Sequence, residues 1–428
     1  MSTKHDEFIA RGQVEQIYDR EELARKFAAE PLTVYAGFDP TADSLHLGHL
    51  LPLLCLARLQ RHGHCPIGLL GCATGMIGDP SGKSEERQLL TEEVIEIYAA
   101  SIKNQLARFL DFDGKNAAVI VNNADWTKTA LYIDWLRDIG KHFSVNYMLG
   151  KESVRRRIED RDHGISYTEF SYMLIQANDF LVLYDRYGCT LQVGGNDQWG
   201  NITAGIDLVH RRRQAQVWGI TFPLLVSSTG EKFGKSAGNA VWLDPDRTSP
   251  YTLYQYWIRT DDRDVVRYLK YFTFLPLEDI EELSQSVARE PEKREAQRVL
   301  AEESTRMIHG VEGLEKAQQA SRVLFGGDIT GFTDRELLDI FTDVPSSTVP
   351  RGELETGIGI LSMLTRTGLT RSNSQAMQLL KHGGVYVNNR RTDDTRLTLT
   401  PDHLASDSIM ILRTGKKQYH LVRIDSQE

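Results

Sequence analysis

Short apolar runs alternate with longer helix-like segments from Thr33 to about residue 121 of this 428-residue chain. The runs at 34–38, 67–70 and 117–121 are strand-like, and the stretches 50–59 and 94–110 between them are helix-like. Strands that alternate with helices predict a parallel sheet with helices on both faces, where ligands bind beyond the carboxyl ends of the strands. We therefore expect the chemistry of this α/β region in the loops that follow its strands.

The rest of the chain changes pattern twice. From 249 to 324 the periodicity is helical, with almost no strand signal. Between 326 and 357, Gly, Pro and Ser breakers surround a short helix predicted at 335–341, and we interpret this stretch as a linker. We predict four regions, which are a Rossmann-like parallel-sheet domain at 1–226, a helical domain at 227–330, a linker at 331–356 and a small α+β domain at 357–428.

Composition restricts the class of protein. Hydrophobic residues make up 41% and charged residues 25% of the chain, as in an ordinary globular protein. No apolar run reaches the roughly 18 residues of a membrane-spanning helix, and the four cysteines have no zinc or redox spacing. We expect a cytoplasmic protein with no membrane partner and no protein-ligated metal. The net charge of −9 argues against a nucleic-acid partner, yet the residues after 350 hold eleven Lys and Arg against eight Asp and Glu.

The run from Tyr35 to His49 is the most distinctive segment. A strand ends at a Pro turn and a helix is predicted to begin near Ser44, which places His46 and His49 on one face of its first turn. Exposed amides and a positive dipole at a helix start suit a phosphate, and Gly48 leaves room for a close ligand. The alternatives are a metal-binding pair and two surface histidines, and the pair alone does not exclude the second.

A second motif, Lys232-Phe233-Gly234-Lys235-Ser236, follows small residues at 227–230. Two lysines on such a loop can neutralise charge on transferring phosphates, although any lysine pair taken alone is more simply explained as solvated. A P-loop is the rival, because 78–84 and 230–236 both end in Gly-Lys-Ser. Each has three residues between its glycines where a P-loop has four, which disfavours that class.

A third motif is a polar stripe on the helix predicted after Thr168, its expected N-cap. Tyr172, Gln176 and Asp179 share one face, and the other faces are apolar. A helix that is apolar on its other sides is expected to be buried, so the polar stripe should face a pocket or a partner. The alternative is that the stripe is the solvent-exposed face of an amphipathic helix. The Gly-rich turn at 194–201 follows another strand and is weak evidence by itself.

Together these motifs resemble the class I aminoacyl-tRNA synthetases, and the context of the first resembles the bacterial tyrosyl-tRNA synthetases. His46 to His49 is similar to the His-x-Gly-His element of that class, and Lys232 to Ser236 is similar to its Lys-Met-Ser-Lys-Ser element. The stretch 372–389 and later strands look like the small RNA-binding module, named after a ribosomal protein, at the end of bacterial tyrosyl enzymes.

The resemblance implies a catalytic first domain, an anticodon-side helical domain and an RNA-binding C-terminal domain. It also implies an ATP-dependent, homodimeric tyrosine ligase, which activates L-tyrosine to tyrosyl-adenylate with release of pyrophosphate and passes tyrosine to the 3′ end of tRNA(Tyr). Mg²⁺ would be carried with ATP. A basic set on the C-terminal domain, for which a solvated face is the alternative, would contact RNA phosphates: Arg366, Arg371, Lys381, Arg390 and Arg391.

The resemblance also implies the site residues, in three sets. Tyrosine would be bound by Tyr35, Asp79, Tyr172, Gln176, Asp179 and Gln198, with Tyr35 and Asp179 at the phenol and with Tyr172, Gln176 and Asp79 at the α-ammonium group. ATP would be bound by Gly37, Asp39, His46, Gly48, His49, Asp197 and Lys235. Catalysis would depend on Thr41, His46, His49, Lys83, Arg87, Lys232 and Lys235.

Two alternatives stay open, a tryptophanyl relative of the same fold and an inactive homologue retained as an RNA-binding protein. Tyr35 with Asp179 suits a phenol better than an indole N–H, which only donates. Ala36 stands where some family members carry a cysteine that touches the ribose, so that contact is absent and nucleotide affinity should depend more on His49 and Asp197.

Overall fold

The computed structural model describes residues 4–81, 89–159, 164–230, 233–236, 239–415 and 418–425. Its helices are α1 (Lys4–Ala10), α2 (Arg20–Ala29), α3 (Leu47–Arg61), α4 (Cys72–Ile77), α5 (Glu92–Leu106), α6 (Ala124–Thr127), α7 (Tyr132–Asp138), α8 (Val145–Leu149), α9 (Glu152–Glu159), α10 (Tyr167–Tyr187), α11 (Trp199–Arg213), α12 (Pro250–Ile258), α13 (Asp262–Phe272), α14 (Leu277–Arg289), α15 (Glu295–Val323), α16 (Asp334–Ile340), α17 (Arg351–Thr356), α18 (Ile360–Arg366) and α19 (Asn373–Lys381). Helix α15 is interrupted at Gly310, where φ is 75°.

The strands are β1 (Gln16–Ile17), β2 (Thr33–Phe38), β3 (Cys65–Leu70), β4 (Val119–Asn122), β5 (Cys189–Gly195), β6 (Trp218–Phe222), β7 (Lys235–Ser236), β8 (Asn239–Ala240), β9 (Ser346–Pro350), β10 (Ile358–Gly359), β11 (Val385–Val387), β12 (Arg390–Thr392), β13 (Thr398–Leu399), β14 (Ile409–Thr414) and β15 (Gln418–Asp425). The chain forms two compact units, residues 1–244 with 261–296 and residues 245–260 with 297–428. Across the described ranges, none of the helices has the length and apolar character needed to span a membrane.

The first unit is built on a sheet of order β1-β6-β5-β2-β3-β4. Neighbouring strands are parallel throughout the part β6-β5-β2-β3-β4 of this order. The short edge strand β1 runs antiparallel to its neighbour β6. This confirms the predicted parallel α/β fold. From β2 the chain continues to β3 and β4 on one side and later to β5 and β6 on the other. The carboxyl ends of β2 and β5 therefore flank a topological switch point, where open α/β sheets bind their ligands.

Helix α10 covers the sheet at that switch point. Its N-cap is Ser166, whose side chain accepts a hydrogen bond from the Glu169 N–H, and not Thr168 as the sequence predicts. The helix ends at Gly188, in the left-handed conformation that favours glycine. Near its start, Glu169 pairs with Arg157 at 2.8 Å, and both side chains are at most 2% exposed. Such a pair fixes geometry because each charge is costly to bury without the other.

The second unit combines helices with a sheet of order β12-β11-β14-β15-β9. Strand β9 pairs with β15 in parallel, and α16 packs against the sheet through the buried side chains of Leu337 and Ile340. The interval 331–356 thus contains α16, β9 and α17. Its breakers mark turns between packed elements and not an extended connection, because buried apolar residues such as Val349 and Leu354 lie among them. The division into domains at 226, 330 and 356 stays a prediction.

Candidate active site

Tyr35 of β2 and Asp179 of α10 form a buried polar cluster, which we call the pocket. Tyr35, in β2, is fully buried, and its ring meets the Phe180 ring edge-on at a centroid distance of 5.2 Å. The Tyr35 hydroxyl is buried without a hydrogen-bond partner. Since an unsatisfied buried hydroxyl costs free energy, this is a position where a ligand atom would supply a missing bond.

Asp179 is the acidic residue of this pocket and is 1% exposed. It accepts hydrogen bonds from Trp126 Nε1 at 2.8 Å and from Asn123 Nδ2 at 3.0 Å. Burial raises the pKa of Asp179 to about 7, the nearby Asp39 charge adds to the rise, and the two hydrogen bonds oppose it. The pocket therefore offers a hydroxyl from Tyr35 and a poised acceptor from Asp179.

A polar network adjoins the pocket at the carboxyl ends of the strands. Tyr172 Oη donates to Asp39 Oδ2 at 2.9 Å. Gln176 Nε2 donates to Gln198 Oε1 at 3.3 Å, and Gln198 Nε2 donates to Asp79 Oδ2 at 2.6 Å. The predicted tyrosine-binding residues are thus brought together, and the network is rich in carboxylates, which suits an ammonium group.

Two more hydrogen bonds extend this network. Gln198 Nε2 also donates to Asp197 at 3.1 Å, and Asp39 accepts a hydrogen bond from the Thr74 hydroxyl at 2.7 Å. Gly37 lies two residues before Asp39, near the end of β2, and is exposed. Two predicted ATP-binding residues, Asp39 and Asp197, therefore touch residues predicted to hold tyrosine.

The histidine pair caps α3. His46 is the N-cap, and its Nδ1 accepts from the Gly48 N–H at 3.0 Å. The His46 N–H donates to Nδ1 of His49 at 3.3 Å, and the two rings stack with centroids 4.0 Å apart. The helix begins later than the predicted start near Ser44. The reason is that the Leu47 N–H donates to Val241 O at 2.9 Å and the Leu243 N–H donates to Leu45 O at 2.8 Å, so this backbone pairs as a short ladder first.

A cavity of about 390 Å³ lies at this helix start, within the usual size of a small-molecule site. Predicted residues Thr41, His46 and His49 line it together with Ala42, Ser44, Gly75, Gly78, Leu89, Leu90 and Trp242. Its walls include two imidazoles, which suit phosphate oxygens, whereas the first amides of α3 already donate within the protein, to Val241 O, His46 Nδ1 and His46 O. Within the described ranges, no three or more His, Cys, Asp and Glu side chains are grouped as a metal site.

Lys235 begins β7 and is exposed. The preceding Gly234, with φ of 75°, passes so close to α3 that a Cβ on it would meet Leu47 Cβ at 3.3 Å. Gly234 O also accepts from the Val241 N–H at 2.8 Å. The lysine loop thus lies against the histidine helix. Three further predicted catalytic residues, Lys83, Arg87 and Lys232, lie outside the described residues.

Comparison with known proteins identifies the family. The model of tRNA synthetases class I (W and Y) matches residues 28–326, and that of the Tyrosine--tRNA ligase SYY-like C-terminal domain matches residues 336–422. The chain belongs to the bacterial tyrosyl-tRNA synthetase family. A Tyrosine--tRNA ligase of Roseiflexus castenholzii is 50% identical over 426 residues, covering 99% of this chain and 100% of that protein. That of Geobacillus stearothermophilus is 50% identical over 415 residues, covering 96% and 97%.

Solved structures agree with this family. A C-terminally truncated mitochondrial tyrosyl-tRNA synthetase of Aspergillus nidulans is 33% identical with a TM-score of 0.68, over 76% of this chain and 95% of that one. A tryptophanyl-tRNA synthetase of Encephalitozoon cuniculi shares the fold at 16% identity and a TM-score of 0.53, over 73% and 87% of the two chains. The same fold therefore occurs in an enzyme named for tyrosine and in one named for tryptophan.

Two residues beside Asp179, Asn123 and Trp126, are absent from the sequence prediction. Both hold the Asp179 carboxylate. Asn123 also donates to Thr74 Oγ1 at 3.0 Å, which joins it to the network around Asp39. The sequence feature that could have predicted them is their position directly after β4, because the loops that follow parallel strands meet at one edge of the sheet.

The raised pKa of Asp179 makes the stability of the free synthetase pH-dependent. Between 3.8 and about 7 the folded protein keeps a proton that the unfolded chain has lost. This contribution to the free energy of unfolding is therefore present at low pH and lost as pH rises toward 7. Asp179→Asn, which does not titrate, is expected to flatten this part of the profile in urea unfolding at pH 5 to 8.

The control for this experiment is Asp185→Asn on the exposed end of the same helix, where Asp185 pairs with Arg213. That control should keep the slope of the unmodified protein. Equal slopes for all three proteins would contradict a protonated Asp179 in the free enzyme.

Proposed function

We propose that the pocket and the α3 cavity are the two halves of one site in which tyrosine is activated. The enzyme is a tyrosine ligase for tRNA: L-tyrosine and ATP form tyrosyl-adenylate and pyrophosphate, and tyrosine then passes to the 3′ end of tRNA(Tyr). The observation that carries the residue assignment is the buried, unpartnered hydroxyl of Tyr35 beside the Asp179 carboxylate.

The substrate phenol completes this arrangement. It accepts from the Tyr35 hydroxyl and donates to Asp179. Its α-ammonium group lies in the network of Tyr172, Gln176 and Asp79, to which Asp39 and Asp79 contribute carboxylates. Phenylalanine would leave both Tyr35 and Asp179 without the bonds that the phenol makes, and leaving buried polar groups unpaired is costly. Selection against phenylalanine is the expected consequence.

The chemical step needs no protein nucleophile. The substrate carboxylate attacks the α-phosphorus of ATP and pyrophosphate leaves, so the protein orients groups and stabilises charge. His46 and His49 face the phosphates from one side, with Thr41 at the cavity wall and Lys235 on the loop beside α3. The family motifs alone assign three further residues to stabilising the charge on the phosphates: Lys83, Arg87 and Lys232. Mg²⁺ enters with ATP as part of that substrate.

The remaining predicted contacts hold the nucleotide and the acyl group. We assign Asp197 to the ribose and Gln198 to the substrate carboxylate. Gly37 and Gly48 lack side chains where the nucleotide approaches the backbone. The supporting observation is the bond from Gln198 to Asp197, which joins the network around the ammonium group to the predicted ribose contact.

The C-terminal domain supplies the tRNA contact in this proposal. Its five basic candidates are all exposed: Arg366, Arg371, Lys381, Arg390 and Arg391. Exposed guanidinium and ammonium groups position an RNA through its phosphates. We place the reaction in the cytoplasm, where ATP and tRNA are both present.

Pyrophosphate exchange into ATP, run separately with each amino acid, tests this assignment. Exchange is expected with tyrosine and not with phenylalanine or tryptophan. Exchange with tryptophan alone would overturn the pocket assignment, and no exchange with any amino acid would indicate an inactive homologue.

We further propose that the enzyme is a homodimer. The segment before and within α7 exposes Leu131, Tyr132 and Ile133, each at least 65% exposed, and Tyr167, 68% exposed, lies beside Tyr132. Contiguous exposed apolar side chains mark an interaction surface, and a second copy of the chain would cover it through the same surface.

Ile133→Asp is expected to halve the molecular mass measured by light scattering, because it places a charge in the apolar patch. The control is Ile97→Asp on α5, where Ile97 is 64% exposed and lies outside that patch. A dimer that persists in Ile133→Asp would show that the copies meet elsewhere, and a monomeric unmodified protein would overturn the proposal itself.

A further inference from the structure

Helix α13 holds the first residues of the lysine loop through a buried carboxylate. Asp264, in the first turn of α13, is 3% exposed. Its Oδ2 accepts from the Ser228 N–H at 2.7 Å and from the Ser228 hydroxyl at 2.8 Å. Burial of a carboxylate is costly unless hydrogen bonds compensate it, so these bonds define where Ser228 lies.

Arg267 reinforces this attachment from the next turn of α13. It donates to Asp264 Oδ1 at 2.6 Å and to Val226 O at 2.9 Å. The backbone at 226–228 is thus bound twice, once by a carboxylate and once by a guanidinium. Helix capping does not explain Asp264, because the N-cap Asp261 already accepts from the Arg263 N–H at 2.9 Å.

The loop returns to α13 just before Lys235. The buried ring of Phe233 stacks on Phe272 with centroids 5.0 Å apart and an interplanar angle of 2°, and it meets Tyr268 edge-on at 5.2 Å. Attachments at 226–228 and at Phe233 therefore lie on the same helix.

The other end of α13 is bound to the histidine helix. Arg58, near the end of α3, is 2% exposed and donates to Tyr271 O at 3.0 Å and to Thr273 O at 2.5 Å. Helix α3 carries His46 and His49 at its start. Helix α13 thus joins the lysine loop to the histidine helix by a path outside the α3 cavity.

We propose that Asp264 is a positioning residue for the adenylation step. By fixing the start of the loop on α13, it sets where Lys235 lies relative to the start of α3. Charge stabilisation in a transition state depends on groups already in place, so a misplaced lysine loses most of its effect. The proposal rests on the function proposed above for Lys235.

A double-mutant cycle on the full-length protein tests this, with the rate of tyrosyl-adenylate formation as the readout. Asp264→Ala is expected to slow the step about tenfold in the presence of Lys235, the size of a lost charge-assisted hydrogen bond. In a Lys235→Ala background, Asp264→Ala should lower the rate of adenylate formation by less than about twofold, because the two residues act as one unit. The tyrosine dissociation constant should stay unchanged.

Two further variants separate positioning from folding. Ser228→Ala removes one of the two bonds and leaves the buried carboxylate intact, and it should slow the step by about threefold. Asp264→Asn keeps an oxygen for Ser228 and should recover part of the rate. The matched control is Asp262→Ala, a half-exposed acidic residue in the same turn that pairs with Arg294, and its rate should be unchanged.

The outcomes distinguish this inference from the function on which it rests. If Lys235→Ala alone leaves the rate of adenylate formation unchanged, the catalytic role proposed for Lys235 is refuted. If Lys235→Ala slows the step but Asp264→Ala and Ser228→Ala do not, the positioning role of Asp264 is refuted. Equal losses from Asp264→Ala in both backgrounds also refute it, since they indicate a general structural effect.

Discussion

Asp179→Asn is expected to lower kcat/KM for tyrosine in pyrophosphate exchange by about 100-fold. The amide keeps the shape of the side chain but loses the charge that we propose receives the substrate phenol, and hydrogen bonds to charged groups are the stronger ones. The loss should appear in the tyrosine parameters, while KM for ATP changes little. Tyr35→Phe removes only a hydrogen bond between uncharged groups. It is expected to lower kcat/KM for tyrosine about fivefold.

The control for this prediction is again Asp185→Asn, on the same helix and exposed. Its kinetics should equal those of the unmodified enzyme. If Asp179→Asn retained full kcat/KM for tyrosine, the phenol would have to bind elsewhere, and the buried Tyr35 hydroxyl would lose its proposed role.

Lys235→Ala is expected to slow adenylate formation by about 100-fold, because removal of one preorganised group that stabilises transition-state charge has effects of this order. Tyrosine binding, measured by equilibrium dialysis, should change by less than about twofold, since the proposed role of the lysine is at the leaving pyrophosphate. Rapid-mixing measurement of the first turnover separates the chemical step from product release.

Lys103→Ala on the exposed face of α5 is a suitable control for the lost charge. It should leave the first turnover unchanged. An unchanged rate in Lys235→Ala would show that the loop beside α3 is not part of the catalytic machinery.

Local patterns in the sequence were sufficient for the sheet and for its strand-end loops. The alternation of strands and helices predicts a parallel sheet, and the spacing of Tyr172 and Asp179 predicts one shared face of a helix, on which the structure buries both side chains. The start of α3 was misplaced because residues 45–47 pair with 241–243, a contact that no local pattern contains.

The residues that sequence analysis missed act across long stretches of chain. Asn123 and Trp126 reach Asp179 over separations of 56 and 53 residues, and Asp264 reaches Ser228 over 36. None of them lies in a recognisable motif. Their contacts follow from the way strands and helices pack, so they become visible only when the folded chain is known.

The unpaired hydroxyl of Tyr35 has a practical consequence. A protein that leaves a buried polar atom unsatisfied when free gains more from a ligand that satisfies it, and ligand binding raises the melting temperature in proportion to that gain. A thermal-shift screen of this enzyme would therefore rank aromatic compounds by whether they carry a phenolic group at the para position. Inhibitor design against this pocket should begin from that group and not from the ring alone.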